Sequence, residues 1–309
     1  GGFGEYKTYV IKNNSADVQR INSLIQLLDK NGIEYGTGTG AGKGYSYSTG
    51  KEESFTVANG DIVISTFQPR SAMAQVLFEP RSKLSDSATY DITAWSLPYA
   101  YGLTAFASKE KIASGGAYQK PAPVLNTVAD AYAYVIKWEG VQSAKAAGLL
   151  LQKGVTLRYS EVPFEVSGQK FAAGAVIVMK TSNKAAGNDL WKYVADACNA
   201  ANVKAYPVAT GFVDNGGDFG SDIVHPFKLK RVVMLTGEGV GGNAAGEIWH
   251  FFDHQLQYPL SLVYANDISR INWQQTDVII LPDGNYRFLN DKASADQLKD
   301  WVSKGGKLI

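Results

Sequence analysis

Four groups of residues in this chain are of the right type and spacing for chemistry. Gly237-Glu238-Gly239-Val240-Gly241-Gly242 matches G-x-G-x-x-G and stands between an apolar run and a helical pattern. In that context, backbone N–H groups and a helix N-terminus hold a pyrophosphate, and Asp267 lies at about the distance of a ribose-binding acid. Against this, Asn243 to Gly246 separates the glycines from a helix expected to start at Glu247, and Glu238 would put a negative charge beside the phosphates. Glu247, His250 and His254 fall at i, i+3 and i+7, so one helix face offers all three, with histidines four apart as in metal sites. Phe251 stands where a His-Glu-x-x-His site would carry its glutamate, and no third ligand is in place. Asp214, Asp218 and Asp222 sit in a turn-rich loop whose spacing misses the calcium-loop pattern. The lone Cys198 lies mid-helix with no base nearby, and His225 completes no Ser-His-Asp set. The residues therefore predict no catalytic set and no metal site.

The elements that must position these groups follow from periodicity. Tyr6 to Lys12 alternates as a strand, Asn13-Asn14-Ser15 is a cap signal, and Val18, Ile21, Leu24, Ile25 and Leu28 mark a helix ended by Gly32. Ile33 to Tyr35 opens a strand, and Gly36 to Gly50 reads as a loop because glycine and serine crowd it. Phe55-Thr-Val57 and Asp61 to Thr66 predict a hairpin across Ala58-Asn59-Gly60. A helix over Ser71 to Phe78 follows.

The same order of elements then returns. Tyr9-Val-Ile-Lys12 recurs as Tyr134-Val-Ile-Lys137, Leu27 to Ile33 is echoed by Leu150 to Val155, and Tyr35 by Tyr159. Phe55-Thr-Val57 with Gly60 to Ile64 is echoed by Phe164-Glu-Val166 with Gly174 to Val178. This predicts a duplicated strand-helix-strand-hairpin lobe. From Arg231 the period changes. Strands at Arg231 to Thr236, Leu260 to Tyr264, Asp277 to Leu281 and Lys307 to Ile309 alternate with helices at Glu247 to Leu256 and Ala295 to Lys304. That alternation predicts a parallel, doubly wound sheet, whose ligands bind beyond the carboxyl ends of its strands, where Asp283 also falls. The expected domains are 1–120, a first lobe with an aromatic linker; 121–226, a second lobe; and 227–309, a truncated parallel-sheet domain.

Between the lobes, Tyr90 to Gly102 carries Trp95, Tyr99 and Tyr101, rings that either fill a seam or offer a ligand platform. Pro98 is expected to stop any helix running through it and to push Leu97 towards an extended conformation, with Trp95 on the same side. The candidate ligand-binding residues are thus Gly237, Gly239, Gly242, Asp283, Trp95 and Tyr99. Net charge of +1 gives no reason to expect nucleic acid or an anionic membrane surface, and no apolar run is long enough to span a bilayer. Gly1-Gly2 reads as a cut start, so the chain is expected to be a fragment.

Thr89-Tyr-Asp-Ile-Thr-Ala-Trp-Ser-Leu-Pro98 resembles the region downstream of the catalytic domain in large bacterial secreted zinc carboxypeptidases, the metallocarboxypeptidase family. So do Asp61 to Thr66, Val76-Leu-Phe-Glu-Pro80, Gly237 to Val240 and Glu247 to Asp253. The resemblance spans essentially the whole chain. It implies an accessory region, structural or substrate-positioning, ending in a flavodoxin-like domain of the class I glutamine amidotransferase type. The implied partners are the parent's catalytic domain and a peptide or glycan substrate, in a secreted or periplasmic setting. The implied zinc belongs to that catalytic domain, since no His-x-x-Glu occurs here, and no catalytic residue transfers. The alternative is a nucleotide- or small-ligand-binding α/β domain using the Gly237 to Gly242 turn.

Overall fold

The computed structural model describes residues 4–81, 96–127 and 130–309; Trp95, with the rest of 90–95 in the central aromatic stretch, lies outside them. The chain forms two compact units, Gly1–Ala122 and Pro123–Ile309. It is mixed α/β, with antiparallel sheets and one parallel sheet.

The first unit runs β1 (Thr8–Ile11), α1 (Val18–Lys30), β2 (Gly36–Thr37), β3 (Gly40–Ser46), β4 (Glu52–Val57), β5 (Ile62–Ser65), α2 (Ser71–Phe78), α3 (Leu97–Ala100) and β6 (Ala105–Ser108). Its six strands take the order β2-β5-β1-β6-β3-β4. Alternation along β1 sends Tyr9 and Ile11 to one face, where Ile21, Leu24, Ile25 and Leu28 of α1 and Phe78 of α2 cover them. Val10 goes to the other face, with Phe55, Val57, Val63 and Ile112. The Asn14 side chain caps the turn that leads into α1, and Gly32, at φ 62°, closes that helix as its spacing predicts.

Three expectations fail here for identifiable reasons. The glycine-rich stretch from Gly36 is not a loop but holds β2 and β3. Gly42 and Gly44 are there because a Cβ would strike the Phe55 ring at 3.0 Å and the Ala107 carbonyl oxygen at 2.4 Å. The expected hairpin of β4 with β5 does not form: β4 pairs with β3, and β5 with β1 and β2. The Ala58 to Gly60 turn exists, but Asp61 redirects the chain out of it. Its buried carboxylate accepts the backbone N–H groups of Asn13 and Ala58 at 2.9 and 2.8 Å and pairs with Lys12. Pro98 does not hold Leu97 extended either. It sits in the first turn of α3, where its missing N–H costs nothing, and Leu97 is helical rather than extended.

The second unit continues with β7 (Ala133–Ile136), α4 (Val141–Gln152), β8 (Leu157–Ser160), β9 (Phe164–Val166), β10 (Gln169–Phe171), β11 (Val176–Met179), α5 (Leu190–Ala200), β12 (Ala205–Val208) and β13 (Val224–Phe227). Five strands order as β12-β7-β11-β8-β13, all antiparallel, with α4 and α5 on one face. The β9–β10 hairpin, turning at Ser167 and Gly168 with positive φ, lays Phe164 and Phe171 on the other. Register in the two antiparallel sheets corresponds: Tyr9 lies opposite Ile64 and Val10 opposite Val63, while Tyr134 lies opposite Val178 and Val135 opposite Ile177. Thr37 opposite Ile62 corresponds to Tyr159 opposite Val176, which puts Leu157, not Tyr159, at the place of Tyr35.

The chain ends in a parallel sheet of β14 (Val232–Thr236), β15 (Leu260–Tyr264), β16 (Val278–Ile280) and β17 (Lys307–Leu308), in the order β15-β14-β16-β17. Helix α6 (Gly242–His250) packs on Val232 and Met234, and α7 (Lys292–Ser303) packs Leu298 and Trp301 on Val233 and Leu235. Helices therefore cover both faces. Among the described residues, no helix is long and apolar enough to cross a membrane.

Candidate functional site at the carboxyl end of the parallel sheet

Strands β15 and β16 flank β14, so the chain crosses from one side of β14 to the other after β15. The loops following β14 and β16 thus meet at the switch point, where open parallel sheets hold their ligands. The sequence rule finds this place, and the structure brings Gly237, Gly239, Gly242 and Asp283 together there. Tyr99 belongs to the other unit.

The helix behind the glycines begins earlier than its apolar spacing predicts. Gly241 is the N-cap and Gly242 the first residue of α6, so Asn243 to Gly246 is helical, and the turn runs straight into a helix N-terminus. That corrects one objection to a phosphate cradle, but the backbone raises a stronger one. The Gly241 N–H donates to the Asp283 carbonyl at 2.7 Å, and the Asn285 N–H donates to the Gly239 carbonyl at 2.7 Å. Val240 and Gly284 form an antiparallel bridge between these donors. Gly239, Gly241 and Gly284 serve that junction. A Cβ on Gly239, which sits at φ 87°, would lie 2.4 Å from the Asn285 carbonyl oxygen; one on Gly284 would lie 2.5 Å from that of Gly239. Gly237 makes room for the Tyr264 ring.

A cleft of about 170 Å³ remains beside the junction, lined by Glu238, Gly239, Asn266, Asn285 and Arg287. Its centre is a carboxylate. Glu238 Oε2 accepts from Asn266 Nδ2 at 3.2 Å, and Glu238 Oε1 lies 3.4 Å from Arg287 Nη1. The cleft thus carries one carboxylate and one cation, and these two pair with each other. Asp267 is held by Arg270 Nε at 2.9 Å rather than standing free for a ribose. Asp283 contributes its carbonyl to the junction, while its side chain is exposed. This set does not fit a dinucleotide. Comparison with protein-family models, curated proteins and solved structures returned no match.

Asn266, Asn285 and Arg287 were not singled out from the sequence. The signal was there: each follows closely on the end of a parallel strand, the position the switch-point rule selects.

The other candidates are dispersed. His250 ends α6, and His254 lies in the π-helical turn Phe251–Leu256 that follows. Their rings lie 4.6 Å apart and tilted by 32°, and the carboxylate nearest to His254 Nε2 is Asp253 at 3.6 Å. Among the described residues, no three His, Cys, Asp or Glu side chains gather around a metal position. In the 214–222 loop, Asp218 accepts the Val213 N–H at 2.8 Å and Asp214 accepts that of Gly168 at 3.1 Å, which is turn-capping work. His225 Nε2 lies 2.9 Å from Glu161 at the sheet edge. The Tyr99 hydroxyl shares a hydrogen bond of 2.8 Å with that of Tyr45, and its ring rests 5.1 Å from Tyr47. Burial first, and then that hydrogen bond, push its hydroxyl up to about 12, too high for a base at neutral pH.

Burial alone pushes the Cys198 thiol up to about 12. Since the thiolate is the reactive form, the folded chain is expected to resist a thiol reagent at pH 8 and to label fully in denaturant. Rapid stoichiometric labelling of the native chain would show that α5 opens far more readily than its packing implies.

Proposed function

We propose that this chain is a non-catalytic accessory region of a zinc metallocarboxypeptidase, one that positions the catalytic domain or its peptide or glycan substrate. The observation that carries this reading is the junction at the switch point. There the Gly241 and Asn285 N–H groups are bonded to the chain's own carbonyls, and the Glu238 carboxylate lines the neighbouring cleft. The family phrase at Thr89 to Pro98 supplies the parent. On this reading the parent's zinc sits in its own catalytic domain, in a secreted or periplasmic protein.

The same reading takes the architecture as two repeated lobes followed by a flavodoxin-like, amidotransferase-type domain. Matched register about Tyr9 and Tyr134 supports the duplication. The strand order β15-β14-β16-β17, with helices on both faces, supports the flavodoxin-like part.

The purified chain is expected to release no C-terminal amino acid from peptides and to hold no stoichiometric zinc by elemental analysis. It is expected to raise peptide turnover when joined to a metallocarboxypeptidase catalytic domain. Chelator-sensitive carboxypeptidase activity in the chain alone would overturn the reading.

A further inference from the structure

Where α4 meets the turn after α6, the second unit encloses an apolar pocket of about 200 Å³. Four rings form its walls: Trp138, Phe227, Phe252 and Tyr258. They meet edge to face, Trp138 against Phe227 at 5.8 Å and 79°, and Phe252 against Tyr258 at 6.3 Å and 68°. Such rings favour another ring offered at an edge or an offset face. On helix α4, Gly148 lets the Tyr258 ring pack close, since a Cβ there would lie 2.9 Å from it, and one turn away the small side chain of Ala144 lines the space on the same face. The size suits a single ring with a short tether, since a cavity of ~150 Å³ already accepts benzene.

The polar groups around the pocket are of one sign. Lys228 and Lys230 line it, and none of its lining residues is acidic. Lys230 Nζ has Asp277 at 3.4 Å, outside the lining; Lys228 has no ion-pair partner among the described residues. The Tyr258 hydroxyl is fully engaged, donating to the Lys230 carbonyl at 2.8 Å and accepting its N–H at 2.7 Å. Lysines with apolar stems along the wall and ammonium groups toward water complement a ligand with an apolar body and an anionic end.

We infer that this pocket binds a small aromatic monocarboxylate, one ring on a short tether to its acid group. The inference stands independently of the accessory reading. The whole chain should be titrated with 3-phenylpropionate and with its neutral analogue 3-phenylpropan-1-ol, using saturation-transfer NMR with calorimetry. For a ligand of this size the acid is expected to bind with Kd of about 0.1–1 mM, and the alcohol about fivefold more weakly, the ratio an exposed ion pair gives. Lys228→Met should bring the two probes to equal affinity. Ala144→Leu, at a partly exposed helical position, should fill the pocket and remove binding of both, with an unchanged circular dichroism spectrum. Three results would overturn the inference: no saturable binding of either probe to the native chain, binding that survives Ala144→Leu, or an unchanged acid-to-alcohol ratio in Lys228→Met. Should Ala144→Leu misfold, the acid-to-alcohol ratio in Lys228→Met decides alone.

Discussion

Asp61→Ala is expected to destabilise the first unit by about 3 kcal/mol. The carboxylate is 4% exposed, and three groups depend on it: the Asn13 and Ala58 N–H groups and the Lys12 ammonium. Losing a buried acceptor strands its donors, at roughly 1–3 kcal/mol for each buried group left unpaired. Lys12 is 26% exposed and keeps the Thr56 carbonyl at 2.9 Å, so it recovers part of its solvation, and the full cost of a broken buried pair does not apply. Asp61→Asn keeps one acceptor and loses the ion pair, so it should fall between. Thermal unfolding monitored by near-UV dichroism should show the midpoint dropping by roughly 10 °C or more for the alanine variant. A change within about 0.5 kcal/mol would mean that this carboxylate does not fix the turn between β4 and β5.

Gly239→Val should destabilise the parallel sheet by about 4 kcal/mol in the absence of any ligand. A β-branched residue at φ 87° carries backbone strain of roughly 1–3 kcal/mol. Its Cβ would also lie 2.4 Å from the Asn285 carbonyl oxygen, so the two loops must part and lose the bonds at Gly241 and Asn285. Gly246→Ala supplies the opposite sign in α6, the helix that follows this turn. A Cβ there meets nothing within 4 Å, so the change should stabilise by roughly 0.5–1 kcal/mol. Denaturant unfolding of the pair measures both. If Gly239→Val unfolds at the native midpoint, the glycine is not serving the junction. The same geometry makes Gly239→Val a poor probe of nucleotide binding, since it would remove a binding site by breaking the loops that form it.

Local signals were readable and non-local ones were not. Helix α1 announces itself because its cap, apolar stripe and closing glycine are contiguous in the chain. Strand β3 hides because its glycines answer to β4 and β6, which lie later in the sequence. The hairpin signal at Ala58-Asn59-Gly60 was a true turn, but Asp61 bonds back to Asn13, across 48 residues, and that contact decides which strand β5 joins. Strand β13 escaped notice because Pro226 argues against a strand; it is tolerated since β13 lies at a sheet edge. At the candidate site the glycine turn was legible as a turn. Its purpose was not, because the partners of Gly239 and Gly241 are Asn285 and Asp283, more than 40 residues on. The helix start at Gly242 was missed because the residues from Gly242 to Gly246 carry little apolar signal.

Calorimetric titration of the intact chain with ATP, NAD and pyrophosphate puts the central claim to its most direct test. If the Gly241 and Asn285 donors are spent between the loops after β14 and β16 and Glu238 pairs with the cation of the cleft, none of the three should give saturable heat up to millimolar concentration. A micromolar dissociation constant for any of them would contradict the account and make the Gly237 to Gly242 turn a phosphate site.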